Sequence, residues 1–354
     1  MTRVAIIGAG VMGCTTALCA ARRGFDVVLL ERAVPGAEAS SAAAGILGAQ
    51  VELHGREEDV ALFTQARAAW EPWAQTLRSE SGIDIGYKRS GVLRVAPTEA
   101  ARDAAASEVA WNFARGLDAA LLDAKEAREV EPELAPGILG AAHFPNDGQV
   151  DPAALLRALM AILARTPRVQ IRSGTTVEHL VVRNGRCAGV GLDTGDLEAD
   201  AVVLAAGSWS SLIPGVPRDV PAVRPVRGQI VLLDERPPRV ASIVFGPGAY
   251  IVPRGDGRVL CGSTMEHAGF RKEVTAGGVH AILHGALAAV PCLSEAQLAG
   301  SWSNFRPHAE GDRALVGRSP LPGLVLATGH FRNGILLSKA TADAVVDALC
   351  APER

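Results

Sequence analysis

Residues 4–13 read Val-Ala-Ile-Ile-Gly-Ala-Gly-Val-Met-Gly, a short apolar run that ends in a G-x-G-x-x-G spacing. A fully apolar run of that length is what a strand shows when both faces of a parallel sheet are covered. Gly8 permits the tight turn after the strand, Gly10 lets the backbone approach a pyrophosphate, and Gly13 allows the next helix to pack closely on the strand. Cys14 to Arg23 has the composition of that helix, and Gly24 ends it. Asp26 to Leu30 reads as a second strand that stops at Glu31, 18 residues after Gly13. An acidic side chain there is placed to accept both ribose hydroxyls of an adenosine, while the free N–H groups and positive dipole end of the helix face the phosphates. The hexapeptide by itself is equally a glycine turn without a ligand. The strand before it, the helix after it and the acid at the end of the second strand make it a dinucleotide fingerprint.

A chain of 354 residues is long for one core and suits two domains. Apolar spacing predicts a helix over 57–79, with Val60, Phe63, Ala66, Trp70 and Trp73 on one face. A hairpin is expected over 85–96, from Ile85–Lys88 and Val92–Ala96, then two helical stretches in 98–134. Asp151-Pro152 opens a further helix, with Asp as cap and Pro in the first turn. Strands are expected at 168–172, 176–183, 187–192 and 201–207. Residues 226–234, 243–253 and 258–263 are β-rich and separated by Pro and Gly, which predicts an antiparallel sheet. A helix over 275–289 and a final strand–turn–helix unit, 323–329 and then 334–349, complete the pattern. The expected fold is α/β (α+β overall), a Rossmann-like FAD-binding domain of the glutathione-reductase type interleaved with an antiparallel-sheet substrate domain. The cofactor domain is assigned to 1–82, 145–222 and 311–354, and the substrate domain to 83–144 and 223–310.

Nicotinamide and flavin dinucleotides share the fingerprint, and three later segments favour the flavin. Ser40-Ser41-Ala42-Ala43-Ala44-Gly45-Ile46 is a run of small residues that lets backbone lie against a long extended cofactor, although it also reads as a plain helix start. Leu204-Ala205-Ala206-Gly207-Ser208-Trp209 places small residues where a strand ends. Gly329-His330-Phe331-Arg332-Asn333-Gly334-Ile335 is a second glycine-flanked helix start, whose positive end suits the pyrimidine edge of a reduced flavin.

With these residues in view, the chain resembles the D-amino acid oxidase superfamily of FAD-dependent oxidoreductases, and within it the glycine oxidase branch of thiamine biosynthesis. The stretches that carry the resemblance are S-A-A-A-G-I-L at 41–47, Y-I-V-P-R at 250–254, G-S-T-M at 262–265, F-R-P at 305–307 and G-H-F-R-N-G-I-L-L at 329–337. They span nearly the whole chain. The resemblance implies noncovalent FAD and a cytoplasmic homo-oligomer, often a tetramer. It also implies oxidation of glycine, sarcosine or small D-amino acids by dioxygen to the oxo acid, ammonia or an amine, and hydrogen peroxide. It further implies that Arg306 binds the substrate carboxylate and that Tyr250, Met265 and Arg332 shape the pocket. FAD contacts are implied at Val11, Met12, Glu31, Arg32, Ser40, Ala44, Gly45, Ile46, Val177 and the run His330, Phe331, Arg332, Asn333, Gly334, Ile335, Leu336. This chain departs from the branch in two places: it has Gly246-Pro247-Gly248-Ala249 where the branch carries a histidine shortly before the pocket tyrosine, and Arg32 and Ala39 replace the smaller or hydroxylated residues of the branch. Relatives of the sarcosine oxidase kind link FAD through a cysteine near the segment Phe305-Arg306-Pro307 occupies here. No cysteine lies between Cys292 and Cys350.

The residue types support the same roles on their own chemistry. A small carboxylate is best held by arginine, whose planar fork makes two parallel charge-assisted hydrogen bonds. Arg306, at the end of the strand-like segment 301–305, also reads as an ordinary surface ion-pair partner, and Tyr250 as a core aromatic. Flavin chemistry needs no serine–histidine or cysteine–histidine dyad, and no acid or base side chain stands out. Two alternatives stay open: an amine dehydrogenase that passes electrons to another acceptor, and a noncatalytic FAD-binding subunit, against which Arg306 and Arg332 speak. A net charge of −3 gives no attraction to nucleic acid or to an anionic membrane. No apolar run is long enough to span a membrane. Val4–Ile7 is too short for a signal-peptide core, so a cytoplasmic location is expected. The six cysteines lack C-x-x-C spacing and read as thiols in a reducing compartment. His280 and His284 have metal-ligand spacing but no third ligand nearby, so no metal is expected. Glu57-Glu58-Asp59 reads as a helix N-terminal charge cluster.

Overall fold

The computed structural model describes residues 2–53 and 55–352. Residues 1, 353 and 354, which fall within the expected first and last domain segments, lie outside that set. The first strand (Arg3–Ile7) sits in a six-stranded sheet. Across it the order is Leu315–Arg318, Leu324–Thr328, Ala201–Leu204, Arg3–Ile7, Asp26–Glu31, Val169–Ser173, parallel except for the antiparallel first edge strand. Alternation along the central strand divides its side chains between two layers. Val4 and Ile6 pack among the helices Val11–Arg22, Pro152–Leu163 and Gly334–Cys350, whereas Ala5 and Ile7 pack under a three-stranded antiparallel sheet, Val177–Arg183, Arg186–Leu192 and Gly195–Glu198. Burial on both faces is why the inner strand segments Val4–Ile7, Val27–Leu30, Val202–Leu204 and Leu324–Ala327 are apolar throughout, whereas the edge strands Leu315–Arg318 and Val169–Ser173 keep polar residues.

The second large sheet has eight strands in the order Gln297–Ala309, Val223–Asp234, Arg258–Gly262, Ala249–Pro253, Ile243–Gly246, Val92–Ala96, Gly140–Phe144, Ala120–Asp123. One face, with Val231, Leu233, Ile251 and Cys261, is covered by the helix Ala276–Ala289. The other, with Ile230, Val252 and Leu260, turns toward the cofactor half and packs with Ala44 and Val51. The sheet is antiparallel with one exception, Ile243–Gly246 running parallel to Val92–Ala96.

Two local expectations are corrected. The helix over 57–79 is a 3₁₀ turn, Glu57–Asp59, followed by two helices, Val60–Ala68 and Trp70–Ser81. Pro72 has no N–H to give to the carbonyl four residues back, so the hydrogen-bond ladder breaks there. No hairpin forms over 85–96. Lys88 instead exchanges backbone hydrogen bonds with Gln149, at 3.0 and 2.9 Å. Val92–Ala96 pairs with Ile243–Gly246 and Gly140–Phe144. Its apolar residues are satisfied by partners distant in sequence, so the local turn is not used. The strand seen in the sequence at 301–305 is the middle of a longer one, Gln297–Ala309. Among the described residues no helix is long and apolar enough to cross a membrane.

Candidate active site

A cavity of about 580 Å³ lies between the two large sheets. One end is built by the fingerprint. Gly13 cannot be larger, since a Cβ there would stand 1.8 Å from the Gly8 carbonyl oxygen. Gly10 caps the helix Val11–Arg22 without a side chain, and the Val11 N–H donates to Ser40 Oγ at 2.9 Å. Gly8, Gly10, Val11, Met12 and Ser40 thus form one wall around a helix N-terminus, a surface suited to phosphate.

Glu31, at the end of its strand, holds its own turn. Its two carboxylate oxygens accept the Ala9 and Ala33 N–H groups, each at 3.0 Å. Each oxygen keeps a second lone pair for a ribose hydroxyl. Arg32 lies beside it with its guanidinium 4.0 Å from the Trp209 ring centroid and 3.1 Å from Glu38. Val177 lines the same end.

Midway, the small-residue run becomes a wall made of Ala44, Gly45 and Ile46. Alanines offer no side-chain polar group, so the run is held by its carbonyls. Trp302 Nε1 donates to Ala42 O at 3.0 Å, and the buried Arg254 donates to Ala44 O and Gln149 Oε1. Burial pulls the Arg254 pKa down to about 10, with Asp151 opposing. Neither Trp302 nor Arg254 was a sequence candidate.

Opposite stands the late segment. His330, Phe331, Arg332, Asn333, Gly334 and Ile335 line the cavity at the start of the 17-residue helix Gly334–Cys350. His330 Nε2 pairs with Thr341 Oγ1 at 2.8 Å, whereas its Nδ1 has no partner among the described residues. Burial drives the His330 pKa down to about 3, so the ring is neutral in any working range. Two candidates lie off the wall. Gly13 is inside the helix–strand contact, and Leu336 turns into the core, where its carbonyl accepts the Trp70 indole N–H at 2.9 Å.

The far end collects Arg306, Tyr250, Met265 and Arg332. Two glycines on neighbouring strands make the room. A Cβ at Gly228 would come within 2.5 Å of the Arg306 guanidinium, and one at Gly262 within 2.6 Å of the Tyr250 hydroxyl. Arg306 donates to Thr264 O at 3.1 Å and to Ser263 Oγ. Burial lowers its pKa from the ordinary arginine value. Tyr250 opposes, the Arg332 charge adds to the lowering, and Glu52 also opposes. Arg332 is paired with Glu52 at 2.5 Å. Glu52 was missed because no local pattern marks it, and Ser263 was missed although it lies inside the stretch G-S-T-M; each meets its arginine only through the tertiary fold. Met265 is about half exposed, at the mouth. His280 and His284 stack on each other on the outer helix, centroids 6.1 Å apart, and among the described residues no group of three or more His, Cys, Asp or Glu side chains is placed to hold a metal.

The arrangement fits an extended dinucleotide with a reactive ring. An anion-binding helix end and a ribose acceptor stand at one end, small-residue backbone and the start of the last helix run alongside, and an arginine–tyrosine pair stands at the other. The comparisons agree with that geometry. A profile of the family described as FAD dependent oxidoreductase matches residues 3–348. The glycine oxidase of Geobacillus kaustophilus (strain HTA426) is 38% identical over 351 residues, 97% of this chain and 92% of that protein. The bifunctional protein ThiO/ThiG of Trichormus variabilis (strain ATCC 29413 / PCC 7937) is 34% identical over 352 residues, 98% of this chain and 52% of that longer protein. The crystal structure of glycine oxidase from Geobacillus kaustophilus matches with a TM-score of 0.92 at 35% identity, covering 100% of this chain and 96% of the other.

Proposed function

The chain belongs to the FAD dependent oxidoreductase family, and from that premise we propose that it oxidises the amine of glycine and other small amino acids, including sarcosine and small D-amino acids. The acceptor in this reading is dioxygen. Dioxygen would take up the two electrons removed from the amine and leave as hydrogen peroxide, and water would hydrolyse the resulting imine to the oxo acid and ammonia or an amine. The reading extends to a place in thiamine (thiazole) biosynthesis, to a cytoplasmic homo-oligomer, and to the division of the chain into cofactor segments 1–82, 145–222 and 311–354 and substrate segments 83–144 and 223–310.

The observation that carries it is Arg306. Its guanidinium faces the cavity beside Tyr250, bonded to neutral oxygens and, among the described residues, to no carboxylate. A half-buried cation without an anionic partner carries a desolvation cost, and a substrate carboxylate offsets that cost. Bound FAD supplies the chemistry, acceptance of the hydride from the substrate α-carbon. The chain supplies orientation: Arg306 and Tyr250 hold the carboxylate, which fixes where the α-carbon stands. No side chain is required as a base, because the amine only has to enter neutral. Activity is therefore expected to rise with pH toward the amine's own pKa.

The test is a substrate panel on purified holoprotein. Glycine, sarcosine, D-alanine and D-proline are mixed with the enzyme under nitrogen and the flavin absorbance is followed, then air is admitted and peroxide is measured. Bleaching by at least one of them together with peroxide supports the reading. Bleaching without peroxide in air would point to a dehydrogenase that uses another acceptor. No bleaching at all would leave a cofactor-binding protein without this activity.

A further inference from the structure

Of the two guanidiniums at the substrate end, one is already neutralised. Arg332 lies 2.5 Å from Glu52, a half-buried carboxylate that also lines the cavity. The pair joins residues 280 apart in sequence, one in the turn after the strand Ile46–Leu47 and one before the last helix. Arg306 has only neutral partners, Thr264 O, Ser263 Oγ and Tyr250. With Arg306 and Arg332 positive and Glu52 negative, this end holds one net positive charge, the complement of one carboxylate. The remaining side chains around it, Phe245, Tyr250 and Met265, are neutral.

We propose that Glu52 determines specificity by charge: paired with Arg332, it restricts the pocket to amines bearing a single carboxylate and excludes amino dicarboxylates. The proposal rests on the reading of this pocket as an amino acid site. A second substrate carboxylate would find Arg332 occupied and would meet the Glu52 charge. Like-charge juxtaposition of that kind rejects the wrong ligand more effectively than a missing contact does. Arg306 senses both partners of the pair: beside the larger effects of burial and Tyr250, Arg332 pushes its pKa down and Glu52 holds it up. Glu52→Gln keeps the shape and, through its amide oxygen, an acceptor for Arg332. It changes the net charge of this end from one positive to two.

The experiment uses the FAD-loaded enzyme and acids that cannot be oxidised, acetate and malonate, each titrated against the flavin absorbance spectrum. Wild type is expected to bind acetate more tightly than malonate. Glu52→Gln is expected to shift the ratio of the two dissociation constants by about tenfold or more toward malonate. The relative kcat/KM for iminodiacetate against sarcosine should move the same way. Adding Arg332→Leu to Glu52→Gln should shrink the shift, because it removes the freed guanidinium and leaves only the relief of the Glu52 repulsion. Malonate binding to wild type as tightly as acetate would overturn the proposal. So would an unmoved ratio in Glu52→Gln, or a shift that Arg332→Leu leaves undiminished. If Glu52→Gln does not fold, the wild-type titrations decide, with Glu52→Asp expected to keep the wild-type preference. Failure of the underlying reading looks different: then sarcosine, glycine, D-alanine and D-proline all leave the wild-type flavin oxidised under nitrogen.

Discussion

Arg306→Ala removes from the substrate end the guanidinium that, among the described residues, no carboxylate neutralises. Truncating one member of a desolvated charge pair costs about 2–5 kcal/mol. At about 1.36 kcal/mol per factor of ten, that is roughly thirty- to five-thousand-fold in kcat/KM. Two features place the loss in the upper part of the range. Partial burial strengthens the contact, and Arg332 cannot take over because Glu52 already holds it. The assay compares D-proline with pyrrolidine, the same ring without the carboxylate, by anaerobic reduction of the flavin in rapid mixing. The substitution should depress the D-proline rate constant steeply and leave the pyrrolidine one nearly unchanged, since pyrrolidine has no carboxylate for Arg306 to hold. Arg306→Lys should recover part of the loss, because an ammonium keeps the charge but not the planar fork. FAD content should be unaffected. If D-proline and pyrrolidine fall together, or if the flavin is lost, then Arg306 is a structural residue filling the space that Gly228 leaves open, and the carboxylate is held elsewhere.

Three further outcomes are expected. No cysteine lines the cavity, so acid precipitation should release the flavin into the supernatant; colour that stays in the pellet would show a covalent link. Glu31→Gln turns an amide N–H toward the Ala9 or Ala33 N–H that a carboxylate oxygen now accepts, and an unsatisfied donor costs about 1–3 kcal/mol. The FAD dissociation constant should rise about tenfold or more while substrate KM at saturating FAD holds, and an unchanged constant would exclude Glu31 from the ribose site. His330 is buried and neutral, with its pKa held down to about 3 from an ordinary 6.5. The unfolded chain therefore binds a proton that the folded one refuses across that window, and stability falls as pH drops through it. His330→Gln should flatten the decline of the melting temperature between about pH 6.5 and pH 4, and an identical decline in the variant would show that other groups set it.

The parts of this protein that could be read in advance are those whose physics is local. Val4 to Ile7, the glycine turn, the following helix and Glu31 lie within 31 consecutive residues, and each constrains the next. The helix opened by Asp151-Pro152 was legible for the same reason: the Asp151 carboxylate accepts the Ala153 and Ala154 N–H groups at 2.9 and 3.2 Å. The expected hairpin over 85–96 failed because the largely apolar run of Val92–Ala96 shows that a strand is buried without saying which strand lies beside it. Arg306 could be proposed from its residue type and its setting. Nothing nearby in sequence announces that Glu52 would neutralise Arg332, or that Ser263 would receive a bond from Arg306. A solitary glutamate 280 residues from its partner looks like any surface acid. Charge balance in a pocket is a property of the assembled fold, and it is the part of specificity least accessible from sequence.

The manner in which the two sheets meet explains how such a pocket keeps its geometry. A wall of alanines suits a cofactor because it lets backbone come close, yet it has no side chains with which to anchor itself. Its carbonyls are the available handles, and both donors that hold them come from the eight-stranded sheet or its edge. Trp302 grips Ala42, and it lies on the same strand as Arg306. Arg254 grips Ala44 just past the strand that carries Tyr250. In each case the residue that positions the cofactor wall stands four residues along the chain from a residue proposed to hold substrate, about 13 Å along an extended backbone. The spacing between cofactor wall and substrate clamp is therefore set by the pleat of two strands and not by a flexible loop. A hydride donor and its acceptor need that rigidity, because a misplacement of about 1 Å can cost about a hundredfold in rate.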